Sequence, residues 1–462
     1  MREPARKEKR QGPVLQLINL ISVILMTVPF AWVWFKVYAG QMWLPFFNRG
    51  NWYMLLVFVI VYVAFGKVYD GFSLSTNRIS GTVFSQALAL LVTDFVMYLV
   101  LMLVVRRYLL NPLPLGLTYL AQLVLITLST TLCHKWYFSA FRPYRCAVVY
   151  DTRAGMEKLI TEYGLFKEFS VRQVVDIDSC LGDLSVLDGM EVVFLSGIHS
   201  HERNIIVKYC MGKDLTCYVL PRLGDTILSG ARRTHMFHLE VLELKPYEPP
   251  LYYVFVKSLA DIVLSALALL LLSPLLLGIA AAIKCQDGGP VFYRQERLTK
   301  GGKRFMLIKF RSMRVDAESD GVARLSSGED DPRITPVGRV LRKSRLDELP
   351  QLFSILAGHM SLCGPRPERP EIAAQYETIL PEFSLRLQAK AGLTGYAQVY
   401  GKYNTTPYDK LLMDLVYIAH PSLLEDVRIL FATVKVLFIP ESTEGVASWQ
   451  TTAMDDAERR DG

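Results

Sequence analysis

Asp347 and Glu348 stand side by side in "RKSRLDELPQLFSIL", behind Arg342, Lys343 and Arg345 and just ahead of Pro350. Proline is tolerated in the first turn of a helix and not later, so the pair is expected to open the helix that follows. A helix N-terminus carries partial positive charge and free N–H groups, so a carboxylate there stays ionised and an arriving phosphate is partly neutralised. Two adjacent carboxylates can also hold Mg²⁺, a hard ion that prefers oxygen ligands and keeps several waters. Taken alone, an Asp-Glu pair among basic residues is more often a solvated face. The stretch 289–314, "GPVFYRQERLTKGGKRFMLIKFRSMR", interleaves cations with aromatics over two strand-like runs joined by a glycine turn. Such an array, with Lys309 and Arg311 near its end, can hold phosphates or rest on lipid headgroups. "GPRP" (364–367) fixes Arg366 between two prolines, a rigid way to present a guanidinium. "AGLTGYAQVYGK" (391–402) offers glycines for backbone approach to a ligand, and Asp414 lies in the helically spaced "KLLMDLVYI".

The rest of the chain must bring these residues to their substrate. Hydrophobic residues make up 51% of the 462, and the excess is concentrated in the first 140 residues and one later block. Four apolar segments, at about 14–38, 52–70, 83–105 and 113–133, are each near the length of a bilayer span. The basic start "MREPARKEKR" and the cations after the second and fourth segments place those sides in the cytoplasm. Arg106 and Arg107 fall on the outer side, against that rule. Asp94 inside the third segment is a candidate functional carboxylate by position, although with no partner at helical spacing it reads as a packing feature. Residues 141–250 alternate β-rich runs ("CAVVY", "VRQVVDI", "EVVFLSG", "LTCYVLP") with helical patterns at 154–163 and 200–211, which predicts a Rossmann-like parallel sheet. The loop "DTRAGM" after the first run lacks the glycine spacing that admits a pyrophosphate, so a regulatory or oligomerisation role is expected. A catalytic unit over 251–440 and a polar, disordered tail at 441–462 complete the chain. Seven scattered cysteines without a C-x-x-C argue against a disulfide framework or zinc site. The net charge of +7 suits anionic headgroups or phosphorylated ligands, and no nucleic-acid partner is expected.

Over roughly 250–440 the chain resembles the bacterial sugar transferases, the polyprenyl-phosphate glycosyl-1-phosphate transferases. "GPVFYRQER", "KFRSM", "LDELPQL", "MSLCGPRPE", "AGLTGYAQV" and an "SP" within the apolar block occur in that family's order. The preceding membrane segments and Rossmann-like module are similar to the large members that initiate exopolysaccharide or capsule synthesis. One departure is that Arg297 is followed by Leu298 and Thr299, with the glycines delayed to 301 and 302. The resemblance implies transfer of a sugar-1-phosphate from a UDP-sugar to undecaprenyl phosphate with release of UMP. It implies Asp347 as nucleophile, forming a covalent phospho-sugar intermediate. Mg²⁺ is then expected at Asp347 and Glu348. Lys309, Arg311 and Arg366 are expected as phosphate clamps, with Arg297 and Asp414 as further substrate-binding residues. Membrane lipids, and a second copy in a homodimer, are the other expected partners.

Two other classes fit the membrane segments less well. A transporter needs several polar groups along a pathway, and apart from Asp94 the first four segments have almost none. A recruiting scaffold does not need Asp347, Glu348 and the cations together. Crossing parity constrains "ALALLLLSPLLLGIAAAI" (266–283). Four crossings leave residues 140–250 in the cytoplasm with the nucleotide sugars, and a fifth would carry Asp347 outside. Pro274 bends a helix, and Ser273 can bond back to a freed carbonyl. The expected fold is therefore four transmembrane helices in a bundle, a Rossmann-like α/β module, and a mostly α catalytic domain. A re-entrant helix-break-helix over about 257–284 would anchor that domain, with the site on the cytoplasmic face of the bacterial inner membrane.

Overall fold

The computed structural model describes residues 11–42, 46, 49–106, 110–315, 317, 331, 333–401 and 406–437. The basic start and the tail expected at 441–462 lie outside them. The chain divides into two compact units, Met1–Leu220 and Pro221–Gly462.

The first unit opens with α1 (Gln11–Val33), α2 (Gly50–Val68), α3 (Ile79–Val105) and α4 (Leu113–Ala140). Each is long and apolar enough to cross a bilayer. In α1, Met26, Phe30 and Val33 are buried while Leu17, Leu20, Ile24 and Val28 lie exposed on another face. A helix that is apolar on its outer face as well as its inner one suits lipid and not water. Asp94 on α3 is 5% exposed, and neither of its carboxylate oxygens has a hydrogen-bond partner among the described residues.

Beyond the helices lie β1 (Tyr144–Tyr150), α5 (Met156–Glu162), β2 (Phe169–Asp176), α6 (Ile177–Gly182), β3 (Val192–Ser196), α7 (Ser200–Gly212) and β4 (Thr216–Val219). The strands pair in parallel in the order β2-β1-β3-β4. The order reverses beside β1, as in doubly wound folds, and ligands of such sheets bind above that reversal. Here the loop after β1 packs into that place. Thr152 Oγ1 donates to Gly197 O (2.9 Å), Ser196 Oγ donates to Arg153 O (2.8 Å), and a Cβ on Gly197 would stand 2.8 Å from Arg153 N.

The boundary between units falls at Leu220, well before the residue 250 read from the sequence. α8 (Leu223–Ser229) is held within the second unit: Ser229 Oγ and His420 Nε2 lie 3.2 Å apart, and a Cβ on Gly230 would meet Ala419 at 2.9 Å. An antiparallel hairpin, β5 (Arg232–Met236) and β6 (Leu239–Glu243), follows and was not anticipated.

α9 (Leu251–Asp287) is one 37-residue helix running through Pro274. The expected interruption into two helices is absent, and a local repair explains the continuity. Pro274 has no N–H for the carbonyl four residues back, which is Leu270, and Ser273 Oγ donates to that oxygen instead (2.7 Å). The first turns of α9 face the core of the unit through a stripe spaced at i, i+4: Tyr253, Lys257, Asp261 and Ser265. Tyr253 OH donates to Asp426 Oδ2 (3.0 Å), Lys257 Nζ sits 3.0 Å from the same oxygen, and Asp261 Oδ1 accepts from Leu362 N (3.0 Å). Ser265 is fully buried. Further along, Leu270, Leu271 and Leu277 are each about 70% exposed, as a lipid-facing segment requires.

β7 (Phe292–Thr299) and β8 (Lys303–Phe310) form an antiparallel hairpin whose turn uses Gly301 and Gly302, both at positive φ. The strand simply continues two residues past Arg297 before turning, which accounts for the delayed glycines. α10 (Pro336–Lys343), α11 (Gln351–Leu356), β9 (Met360–Cys363), α12 (Pro370–Ile379), β10 (Ala391–Thr394), α13 (Tyr396–Val399), α14 (Pro407–Ala419) and α15 (Leu423–Leu437) complete the unit. β9 and β10 pair in parallel. Phe305, Leu307, Leu352, Ile355, Met360 and Leu362 form the core beneath the site, with Ala268 and Leu269 of α9 packed on it.

Candidate active site

Asp347 and Glu348 lie in a short 3₁₀ turn, Leu346–Glu348, between α10 and α11. The turn replaces the helix opening expected there: Pro350 caps α11 from outside, and the helix proper begins at Gln351. Arg345, immediately before the turn, adopts φ 57°, ψ 16°. The left-handed region is uncommon for a residue with a Cβ, and such strain persists only where the surroundings enforce it. The reversal at Arg345 is what swings both carboxylates back toward β8.

Glu348 is ringed by cations from three elements. Arg366 Nη2 donates to Glu348 Oε1 at 2.9 Å, Lys309 Nζ on β8 lies 3.7 Å away, and Arg345 Nη1 lies 3.8 Å away. Burial alone would push the Glu348 carboxyl up, but Arg366, Lys309 and Arg345 together outweigh it and hold it well below the ordinary carboxylate range. Burial likewise pulls Lys309 down to about 8, with the Glu348 charge opposing. Asp347 is treated differently. Burial raises its carboxyl, the Glu348 charge adds to the rise, and Lys309, Arg342 and Arg345 offset only part of it. No donor among the described residues is hydrogen-bonded to Asp347. The pair is therefore one clamped anion beside one uncommitted one.

The other expected residues are dispersed around this centre. Arg311 lies just past the end of β8; its Nη2 pairs with Asp287 at the end of α9, and its Nη1 is buried without a partner among the described residues. Arg297 gives Nη1 to Pro367 O (3.1 Å) and Nη2 to Gln295 Oε1 (2.6 Å). Asp414 is 1% exposed on α14 and meets Arg386 at 2.6 Å. Burial pushes the Asp414 carboxyl up to about 6, with Arg386 opposing. Ser273 and Pro274 lie in the apolar part of α9. Sequence reasoning missed Arg386, Glu368, Asp287 and Asp426. Their partners are distant in sequence, and only Arg386, between Leu385 and Leu387, carries a local signal.

A carboxylate pair walled by lysine and arginine is suited to handling phosphate esters: the cations match phosphate oxygens, and a free carboxylate can attack phosphorus. Residues 252–440 match the model of the bacterial sugar transferase family. An Aeromonas hydrophila UDP-N-acetylgalactosamine-undecaprenyl-phosphate N-acetylgalactosaminephosphotransferase is 37% identical over 231 residues, 49% of this chain and 53% of that protein. A Xanthomonas campestris UDP-glucose:undecaprenyl-phosphate glucose-1-phosphate transferase is 43% identical over 192 residues, 40% of each chain. The chain thus spans about half the length of these two curated relatives. It covers 96% of a Rhizobium leguminosarum exopolysaccharide production protein at 40% identity. The chain belongs to the bacterial sugar transferase family.

Proposed function

We propose that the protein transfers a sugar-1-phosphate from a UDP-sugar to undecaprenyl phosphate, the first membrane step of exopolysaccharide or capsule synthesis. The reading rests on the asymmetry of the carboxylate pair, with Glu348 clamped and Asp347 free. An Asp347 oxygen attacks the sugar-bearing phosphorus, and the bond from that phosphorus to the bridging oxygen breaks. UMP leaves with the bridging oxygen and its electron pair. An oxygen of the lipid phosphate then attacks the same phosphorus, the bond to Asp347 breaks, and the carboxylate is restored. Dividing one displacement between two anions into two steps lets a single cationic wall serve both. Lys309 and Arg366 line that wall, and Glu348 holds both of them together with Arg345.

The donor set fits Mg²⁺, which takes one or two carboxylates plus phosphate oxygens and waters. Asp347, with no competing donor, and Glu348 would hold it, and the ion would neutralise charge on the diphosphate. In the same reading the four N-terminal helices form a transmembrane bundle in the bacterial inner membrane. α9 anchors the second unit in the bilayer through its apolar segment, with the site on the cytoplasmic side, where the nucleotide sugars are. The relatives named for glucose and for N-acetylgalactosamine match at similar identity, so the sugar is open to a panel.

The test is UMP release by membranes carrying the full chain, supplied with undecaprenyl phosphate and each UDP-sugar in turn. Asp347→Asn is expected to abolish release. Release at the parent rate in that variant rules out the covalent step, and no release by the parent with any sugar rules out the reaction.

A further inference from the structure

Three consecutive carbonyls of the loop that presents Arg366 are each taken by a fixed donor. Gly392 N donates to Pro365 O (2.8 Å), Arg386 Nη2 to Arg366 O (2.9 Å), and Arg297 Nη1 to Pro367 O (3.1 Å). The prolines at 365 and 367 lock φ on both sides of Arg366. Arg386 is 3% exposed and stacks over the Phe383 ring at 4.8 Å. The same Nη2 lies 2.6 Å from Asp414 Oδ2 and Nη1 lies 3.5 Å from Glu368 Oε1, while Glu368 Oε2 turns to Arg297 at 3.9 Å. Buried Arg386 and Asp414 and half-buried Arg297 and Glu368 thus balance one another beneath the loop, and the Arg366 side chain faces Glu348.

We propose that Arg386, anchored by Asp414 and Glu368, is a positioning residue that acts through Arg366: it fixes the backbone from which that guanidinium reaches the carboxylate pair and the transferring phosphate. Arg297 performs the same task one carbonyl further on. Arg297 and Asp414 then act from beneath the loop and do not touch substrate. A buried planar fork is needed because Nη2 serves both the Arg366 carbonyl and Asp414 while Nη1 faces Glu368, and a lysine supplies one point charge in place of that spread.

The proposal rests on the phosphoryl-transfer reading for its kinetic consequence but not for its structural one. The full chain in lipid nanodiscs is compared as parent, Arg386→Lys, Arg366→Ala and the double variant. Misplacing a phosphate-binding group by about 1 Å costs on the order of 100-fold, so Arg386→Lys is expected to lower kcat by about that factor with little change in KM. In the Arg366→Ala background the same substitution is expected to cost under about twofold, because the group it positions is gone. Equal losses in both backgrounds overturn the proposal. Hydrogen exchange gives a readout independent of activity. Peptides covering 364–368 are expected to exchange about tenfold faster in Arg386→Lys, the effect of losing one backbone anchor, while β1 and β3 are unchanged. Unaltered exchange in that loop overturns the proposal, as does a uniform rise through the second unit. Arg297→Lys, which removes the Pro367 anchor, is expected to give the same local signature. A silent parent with the local signature intact overturns the reaction and leaves the positioning role standing.

Discussion

Replacing Glu348 by glutamine keeps its shape and removes its charge. Lys309 Nζ lies 3.7 Å from Glu348 Oε1 with its side chain 20% exposed. At an effective dielectric of about 20, that contact is worth roughly 4 kcal/mol, or up to about 3 pKa units at 1.36 kcal/mol each. Lys309 already sits near 8 because burial outweighs its carboxylate neighbours; without Glu348 it falls further, to between about 5 and 7 by the same arithmetic. Asp347 moves the same way, because the like charge that helps raise it is gone. In kcat/KM, which reports the free enzyme, the parent should lose activity as pH rises through about 8, where Lys309 surrenders its proton. It should also lose activity as pH falls through the raised Asp347 value, where the nucleophile is protonated. Glu348→Gln should displace both limbs to lower pH, by about 1 to 3 units on the basic side. UMP release measured between about pH 5 and pH 10 is the assay. A basic limb that stays near 8 in Glu348→Gln refutes the electrostatic coupling argued here.

Other outcomes follow from single contacts. Lys309→Arg keeps its charge at every working pH, so the basic limb should flatten even if the maximal rate drops; a limb persisting near 8 assigns it to another group. Gly392→Ala places a Cβ 2.2 Å from Gly364 N; overpacking of this kind costs about 1–3 kcal/mol and should lower Tm by several degrees in detergent, with an unchanged Tm counting against the close approach. Ser273→Ala should destabilise by about 1–3 kcal/mol by orphaning Leu270 O, and that loss should vanish when Pro274→Ala restores the missing N–H. Equal losses with and without Pro274 would contradict the repair.

The apolar helices and the parallel strands were legible because hydrophobic periodicity is local: "CAVVY" sits inside β1, and "EVVFLSG" overruns β3 by one residue at each end. The carboxylate pair was legible because its two members adjoin, and Arg366 because prolines flank it. The supporting layer was not. Arg386 meets Glu368, Asp414 and the Arg366 carbonyl across gaps in sequence that no pattern spans. Arg311 shows a different limit of reading from pattern. Two residues beyond Lys309 it should share that residue's face of a strand, but β8 ends at Phe310 and the guanidinium turns to Asp287. Arg297 is expected at the substrate by resemblance, and nothing local reveals that its Nη1 and Nη2 bond to Pro367 O and Gln295 Oε1. The helix break expected at Pro274 failed for a similar reason, since a hydroxyl one residue away supplies the missing bond.

The stripe of Tyr253, Lys257, Asp261 and Ser265 has a consequence for where the chain works. It welds the first turns of α9 to β9 and α15, so this helix cannot slide along the membrane normal without carrying the carboxylate pair with it. The exposed leucines beyond residue 270 seek a fixed depth in hydrocarbon, and each residue of helix spans about 1.5 Å. On the phosphoryl-transfer reading, the lipid phosphate is held at headgroup level while the protein's depth follows its anchor. The thickness of the bilayer then becomes a reaction variable, setting the gap between Asp347 and its second substrate much as a linker sets the gap between two tethered domains.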